Sequence, residues 1–351
     1  MKKKHFILTV AIMILAAAIC AGCSKTSTQT NYQDTDFAMG TVISQNIYGK
    51  NGENLSEKIL DIITNLENVI SWRIDGTAVN TLNKIAGEGG INAENEKLPI
   101  WLNQCAEVYE KSGGLLDITV GPAARLWDIG GENPRIPSEG ELEEALKLID
   151  GSKVHVDDQT ITFETKNGQL DLGAVGKGIA CDEISDYLSE NQIEVNGTFS
   201  VGGSVLIYGE KPNGQSWKIG IQDPRGEEGT YMGALEITQE EGESLFVSTS
   251  GDYEKYFEED GIRYHHILDP RTGCPADSGL ISVTIISESG FLTDALSTAC
   301  FVAGKDEGMK LAKEFGAEII VIDEEKNVYA SEGAKEYFSL LNDDYNYEAG
   351  E

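Results

Sequence analysis

Residues 197–209 read GTFSVGGSVLIYG: two short runs rich in valine, isoleucine and aromatic side chains, separated by paired glycines. Branched and aromatic residues suit a pleated, half-buried surface, and glycine suits a tight reversal of the chain. Three runs of the same kind follow at SWKIGIQD (216–223), YMGALEIT (231–238) and SLFVSTSG (244–251), each bounded by turn residues. Just upstream, KVHVDDQTITFET (153–165) alternates around Asp157 and Asp158 as a hairpin does. The middle of the chain is therefore a block of short strands with no helix between successive members.

Helical periodicity lies outside that block. LSEKILDIITNLENVIS (55–71) carries an apolar stripe at Leu55, Ile59, Leu60, Ile63 and Leu66. IWLNQCAEVYEKSGG (100–114) reads as a helix ended by its glycines, and PSEGELEEALKLIDG (137–151) as one that starts at Pro137 and Ser138 and stops at Gly151. Two more helices are expected at TDALSTACFVAG (293–304) and DEGMKLAKEFG (306–316), with a late strand at AEIIVIDEE (317–325). Grouped strands with helices between the groups predict an α+β fold of mixed or antiparallel sheets with flanking helices, and disfavour a Rossmann domain. No repeat period and no long linker interrupts residues 35–345, so that stretch is read as one unit, large enough for one core or two lobes.

The chain of 351 residues carries 27 Lys+Arg against 59 Asp+Glu, a formal charge of −32. Such a surface repels nucleic acid, and an anionic small ligand must be held by a metal ion or a local basic group. Residues 1–22 have the form of a secretory leader: Lys2, Lys3 and Lys4, then an apolar run from Phe6 to Gly22 that is short for a membrane span. Ala21 and Gly22 before Cys23 resemble the bacterial lipoprotein processing box, although Cys20 stands where leucine is usual. Residues 23–34 read as a polar tether, which places the protein outside the cytoplasm, on the membrane by a lipid on Cys23. The other cysteines, Cys105, Cys181, Cys274 and Cys300, have no CxxC or zinc-finger spacing and are expected to be single buried thiols.

Three stretches carry chemistry. In DLGAVGKGIACDEI (171–184) a strand ending at Asp171 runs through Gly173, Gly176 and Gly178 into a helix, so that backbone can approach a ligand and free N–H groups face an anion, with Lys177 adding charge. The P-loop pattern is not satisfied, and a tight strand-to-helix turn explains the glycines as well. In TDALSTACFVAG, Thr293 as N-cap puts Asp294 in the first turn with Thr298 four residues on; a carboxylate and a hydroxyl suit magnesium, while an acid in a first turn is also what the helix dipole favours. In HHILDPRTGCP (265–275), Pro270 and Gly273 force a turn after a strand, and alternation sends His265 and His266 to opposite faces, so one of them can face a site.

Taken in order, FAMGT (37–41), ISWRIDGTAVNTLN (70–83), LLDITVGPAARLWDIG (115–130), DLGAVGKG (171–178), SVGGS (200–204), VSTSGDYEKYF (247–257), HHILDPRTGCP and TDALSTA (293–299) resemble the ApbE family, which are FAD:protein FMN transferases. The resemblance implies a magnesium-dependent enzyme that cleaves FAD, attaches FMN by a phosphoester bond to Thr or Ser of an acceptor protein, and releases AMP. It implies that Ala174 (through its carbonyl), Asp294, Ser297 and Thr298 surround the metal, and that Met39, Trp72, Leu116, Asp117, Asp171, Lys177 and Leu268 line the FAD site. His266 falls where the family has its proposed base. Trp72 stands where relatives commonly have Tyr, Leu116 where they have Phe, His265 where they often have Ser, and Ser204 where they have Asn. These departures are expected to bear on flavin contact rather than on the metal. The acceptor implied is a membrane respiratory subunit or an extracellular electron-transfer protein. Two rival readings share the motifs: an FAD diphosphatase yielding FMN and AMP, and an FAD-binding lipoprotein without turnover.

Overall fold

The structure is a computed structural model that describes residues 30–227 and 229–348; the leader, Cys23 and most of the tether lie outside these residues. Its frame is a nine-stranded sheet whose spatial order equals its chain order. Numbered along the chain, the strands are β1 (Asn31–Ala38), β2 (Thr41–Gly49), β3 (Val195–Val201), β4 (Ser204–Tyr208), β5 (Ser244–Gly251), β6 (Leu280–Ser287), β7 (Glu318–Asp323), β8 (Asn327–Ala330) and β9 (Asn346–Glu348). Every adjacent pair is antiparallel except β8 with β9, which is parallel. The chain leaves the sheet after β2, β4, β5, β6 and β8 and returns beside the strand it left. An antiparallel sheet with insertions is thus the α+β arrangement expected, and no Rossmann crossover is present in it.

The quoted stretch 197–209 folds as β3 and β4, reversed at Gly202, whose φ of 59° is the left-handed conformation that glycine adopts without strain. The expected hairpin at 154–163 also forms, with Asp158 at the turn. Side chains alternate across the large sheet: Phe246, Val283, Ile285, Ile319 and Val321 face one core, whereas Val247, Ile286, Ile320 and Ile322 face another. Helices cover the first face. A three-stranded sheet of Trp217–Gln222, Tyr231–Ile237 and Phe338–Leu340 covers the second.

Four helices matter for function: α1 (Gly52–Ile70), α3 (Gly176–Glu190) and α4 (Gly290–Ala303) on the first face, and α2 (Gly121–Trp127), whose Ala123 and Trp127 bury in a separate small cluster with Leu268. The apolar stripe of α1 buries Leu55, Ile59, Ile63 and Leu66, and each fully buried leucine or isoleucine contributes about 2 kcal/mol. The helix Glu139–Leu146 starts at Ser138 in a capping box with Glu141, as its sequence suggests, but ends before Gly151 because Gly151–Lys153 forms a separate helical turn.

Two sequence boundaries shift. Asn31–Asp34, read as tether, belong to β1: Tyr32 packs against Gly52, and Asp34 accepts a hydrogen bond from Ser56 Oγ at 2.7 Å. Their polarity reflects an exposed edge strand rather than a linker. At the other end, β9 extends the unit past residue 345. Among the described residues no helix is long and apolar enough to cross a membrane, and Cys105, Cys181, Cys274 and Cys300 are all free thiols, three of them buried.

Candidate functional site

The site grows from a close crossing of two helix starts. Asp171 closes a turn by accepting from Gly173 N–H at 2.8 Å, and the N–H groups of Val175 and Gly176 fold back onto the Leu172 carbonyl. Then α3 begins, and Gly178 meets Gly290 of α4 backbone to backbone. A Cβ on Gly178 would stand 2.0 Å from the Gly290 carbonyl oxygen, and one on Gly290 would stand 2.4 Å from that of Gly178. This contact brings Asp294 to α3, where its Oδ2 accepts from Gly178 N–H at 2.6 Å while Oδ1 accepts from Ser204 Oγ. In return Asp182 of α3 accepts from the N–H groups of Gly290 and Phe291, both at 2.7 Å, satisfying the first donors of α4. Burial lifts the Asp182 carboxyl to about 6, against the pull of those two N–H groups.

Two expectations are corrected here. Thr293 is not the N-cap of α4: Ser289 caps it, so the helix starts earlier and Asp294 lies beyond the first turn, held by a packed neighbour rather than by the dipole of its own helix. The start of α3 does not offer all its N–H groups to an anion either, because Gly178 N–H is taken by Asp294 and Gly176 N–H by Leu172. Ser204, expected to bear on flavin contact, instead touches the acid read as metal ligand.

The second wall comes from the segment after the strand Ile262–His265. The two histidines do face opposite ways. His265 is buried, with Nε2 at 3.0 Å from the Ala276 carbonyl oxygen and its ring edge-on to Phe301. His266 opens onto a cleft, its N–H donated to the Lys255 carbonyl at 3.0 Å. The turn between them and Pro275 is closed by Asp269 N–H to the Cys274 carbonyl and Gly273 N–H to the Asp269 carbonyl, both 2.8 Å. Trp127 of α2 clamps it by donating Nε1–H to the Gly273 carbonyl at 2.7 Å. The clustered prolines, glycine and histidine therefore build a rigid bracket for one imidazole.

The cleft is open to solvent and holds a cavity of about 160 Å³. It brings together Leu116, Asp117, Asp171, Ala174, Lys177, His266, Leu268, Asp294, Ser297 and Thr298. Asp117 lines it with its carboxylate already engaged: Thr119 and Gly151 donate to it, and burial raises its pKa. Met39 and Trp72 lie outside the lining. Met39 sits at the β1–β2 turn with φ 51°, its N–H on Glu67 Oε2 at 3.1 Å and its methyl group against Gly176. Trp72 is covered by two guanidinium groups, Arg73 at 4.1 Å and Arg125 at 4.4 Å from its ring centre, so its face is not free to stack on a flavin in this state. Sequence reading missed Asp182, Arg125, Lys255 and Ser250; the last lines the cleft and shares a hydrogen bond of 2.8 Å with Ser297. Asp182 and Lys255 stand inside motifs already singled out, but nothing in their spacing tells them from surface charges.

Charge at the cleft departs from the rest of this acidic protein. Crowding by surrounding protein atoms, then the ammonium groups of Lys177 and Lys255, hold His266 below the ordinary histidine value although the residue is exposed to the cleft, so its imidazole is neutral at pH 7. His265 is lowered too, chiefly by burial. Both rings bind fewer protons folded than unfolded, so they favour unfolding as pH falls below the unfolded value of about 6.5 and are silent above it. Asp182 opposes them, because its raised carboxyl takes up a proton on folding over the same range, so denaturant titrations should show more stability retained at pH 5 when His265 and His266 are replaced by uncharged residues than in the unaltered protein.

Among the described residues no group of three His, Cys, Asp or Glu side chains is placed to hold a metal ion. Beside α4 the oxygen set is the Asp294 carboxylate with the hydroxyls of Ser297 and Thr298 and the backbone at Ala174, while Asp171 and Asp117, which also line the cleft, accept neighbouring backbone N–H groups. Such a set fits a hard cation that completes its shell with water and with a ligand's phosphate oxygens, and is too poor in charge to fit one held by protein alone.

The ApbE family profile matches residues 39–321. The FAD:protein FMN transferase of Treponema pallidum is 30% identical over 94% of this chain and 95% of its own length. That of Klebsiella pneumoniae is also 30% identical, over 90% and 96%. The crystal structure of the ApbE protein from Thermotoga maritima superposes with a TM-score of 0.80 at 33% identity, covering 88% of this chain and 99% of that one. The apo form of Pseudomonas stutzeri flavinyl transferase ApbE gives 0.75 at 26%, covering 88% and 96%.

Proposed function

The chain belongs to the ApbE family, and on that premise we propose how its cleft serves as the active site of an FAD:protein FMN transferase. The observation that carries the reading is convergence: Asp171, Ala174 and Lys177 from one segment, His266 and Leu268 from a second, and Asp294, Ser297 and Thr298 from a third line a single cleft. FAD is the substrate, with its diphosphate lying between the 171–178 turn and the Asp294 side of α4. Asp294, Thr298, the Ala174 carbonyl and the nearby Ser297 would hold magnesium, which would offset the charge of the diphosphate. This chain's own groups then do the rest. Lys177 draws the anion into a protein that would otherwise repel it. Neutral His266 takes the proton of an acceptor Thr or Ser hydroxyl as its oxygen forms a bond to the FMN phosphorus. The bond from that phosphorus to the bridging oxygen breaks, and AMP leaves with the electron pair. Leu116 and Leu268 supply apolar walls, and Met39 and Trp72 flank the entrance for the flavin, Trp72 after its guanidinium cover shifts.

Incubation with FAD, Mg²⁺ and a protein bearing an FMN-binding domain tests the reading. Mass spectrometry should find FMN on a Thr or Ser of the acceptor. Free FMN with an unmodified acceptor would favour the diphosphatase, and FAD that stays intact and bound would favour a carrier. His266→Ala should slow transfer about a hundredfold or more while changing FAD affinity little. Equal losses in both would assign His266 to binding instead.

Residues 1–22 complete the proposal as a leader cleaved before Cys23, whose lipid holds the enzyme on the outer side of the membrane near an electron-transfer acceptor. Cys23→Ala should release the protein from the membrane fraction; unchanged retention there would remove the anchor from the account.

A further inference from the structure

Strand β5 and helix α4 are joined by a short ladder of hydroxyl groups. Ser248 Oγ lies 2.8 Å from Thr293 Oγ1, and Ser250 Oγ lies 2.8 Å from Ser297 Oγ. The spacings match: two residues along a strand advance about 6.8 Å and four along a helix about 6 Å, so both rungs close at once. Thr249 between them pairs instead with Thr284 of β6, at 2.9 Å. Of the two rungs, only Ser250 and Ser297 line the cleft; Ser248 and Thr293 are buried.

The proton of each rung is decided by the helix. Thr293 Oγ1 donates to the Gly290 carbonyl at 2.8 Å, and Ser297 Oγ donates to the Asp294 carbonyl at 2.9 Å. A carbonyl only accepts and a hydroxyl owns one proton, so both helix hydroxyls spend theirs on their own helix, and the strand serines are the donors of both rungs. Ser297 Oγ has two lone pairs. One receives the Ser250 proton, and the other is left for the cleft that Ser297 lines. An oxygen held in this way can give electrons to a cation and has no proton for a phosphate oxygen.

We propose that Ser250 is a positioning residue: by donating to Ser297 it fixes that hydroxyl as an electron-pair donor to the divalent cation beside Asp294. The inference rests on the transferase reading and deepens its metal site. Partners that orient a ligand in this way commonly set metal affinity without touching the metal.

Mn²⁺ serves as the probe, since it takes the same octahedral shell of oxygens as Mg²⁺ and the loss of its free EPR signal counts the bound ion. With FAD and without acceptor, half-saturating Mn²⁺ for the full folded chain should rise about fivefold in Ser250→Ala and stay within about twofold in Ser250→Thr, which keeps the hydroxyl. In a Ser297→Ala background, Ser250→Ala should add nothing, because the partner through which it acts is gone. Ser248→Ala removes the other rung, away from the cleft; it should lower the unfolding midpoint as Ser250→Ala does, yet leave Mn²⁺ binding within about twofold. Unchanged Mn²⁺ binding in Ser250→Ala, an equal loss in Ser250→Thr or Ser248→Ala, or a further loss in the Ser297→Ala background would overturn the assignment, while FMN transfer by the unaltered protein would still uphold the transferase reading. An unaltered protein that binds no Mn²⁺ would overturn it too, and one that also transfers no FMN would overturn the transferase reading with it.

Discussion

Asp294→Ala is expected to abolish FMN transfer and to destabilise the fold in the same stroke. The carboxylate is buried and accepts from both Gly178 N–H and Ser204 Oγ, so its removal strands two donors at the meeting of α3 and α4. Each buried donor left without a partner costs about 1–3 kcal/mol. Removal also deletes the one carboxylate among the proposed metal ligands, which should lower transfer by about a thousandfold or more. Asp294→Asn separates the two roles. The amide oxygen can still accept from Gly178, so most of the stability should return, whereas transfer should stay low because the charge is gone. Denaturant unfolding and single-turnover transfer, measured on both variants, check this. Near-normal transfer in Asp294→Ala would remove the carboxylate from the metal site.

The second large effect is expected at Gly178. An added methyl group would lie 2.0 Å from the Gly290 carbonyl oxygen and 3.0 Å from Asp294 Cβ, and the first obstacle is backbone that cannot rotate away. Gly178→Ala must therefore part α3 from α4, at a cost of about 3 kcal/mol or more. Because the same contact seats Asp294 against Gly178 N–H, transfer should fall even in the fraction that stays folded. Gly140→Ala is the matched control. Gly140 lies in the helix Glu139–Leu146 with nothing within 4 Å of an added Cβ, so alanine there should be neutral or mildly stabilising. Chemical denaturation of the pair gives the contrast; a Gly178→Ala midpoint equal to that of Gly140→Ala would mean that the helix crossing is not the rigid contact described.

These two residues also mark the limit of what the chain reveals before it is folded. The strand runs of 197–251 are legible because period-two alternation and turn glycines are local properties, but which runs pair is not: 197–208 and 244–251 join the large sheet, whereas 217–222 and 231–237 join a separate one. The His265–His266 split is legible for the same reason: alternation alone sends one ring inward and one out. The start of α4 is not. Thr293 is the cap that the local sequence suggests, but Ser289 takes that role, its hydroxyl accepting from Leu292 N–H while Asp182, more than a hundred residues earlier, accepts from the N–H groups of Gly290 and Phe291. No local signal encodes that contact. Trp72 shows a different limit, since its motif places it at the flavin while the ligand-free fold covers it with Arg73 and Arg125, one adjacent in sequence and one brought by α2. The tether boundary failed through composition: Asn31–Asp34 are polar because β1 is an exposed edge, and exposed edges and linkers look alike in sequence.

At the centre of the account is the claim that a dinucleotide's phosphates are held between the 171–178 turn and the Asp294 face of α4, with His266 beside them. A crystal structure of this protein with FAD and Mg²⁺ tests it most directly. The account predicts the diphosphate in contact with Lys177, a cation touching Asp294 and Thr298, and the His266 ring facing the FMN phosphorus. FAD seated elsewhere, or a cation with no contact to Asp294, would contradict it.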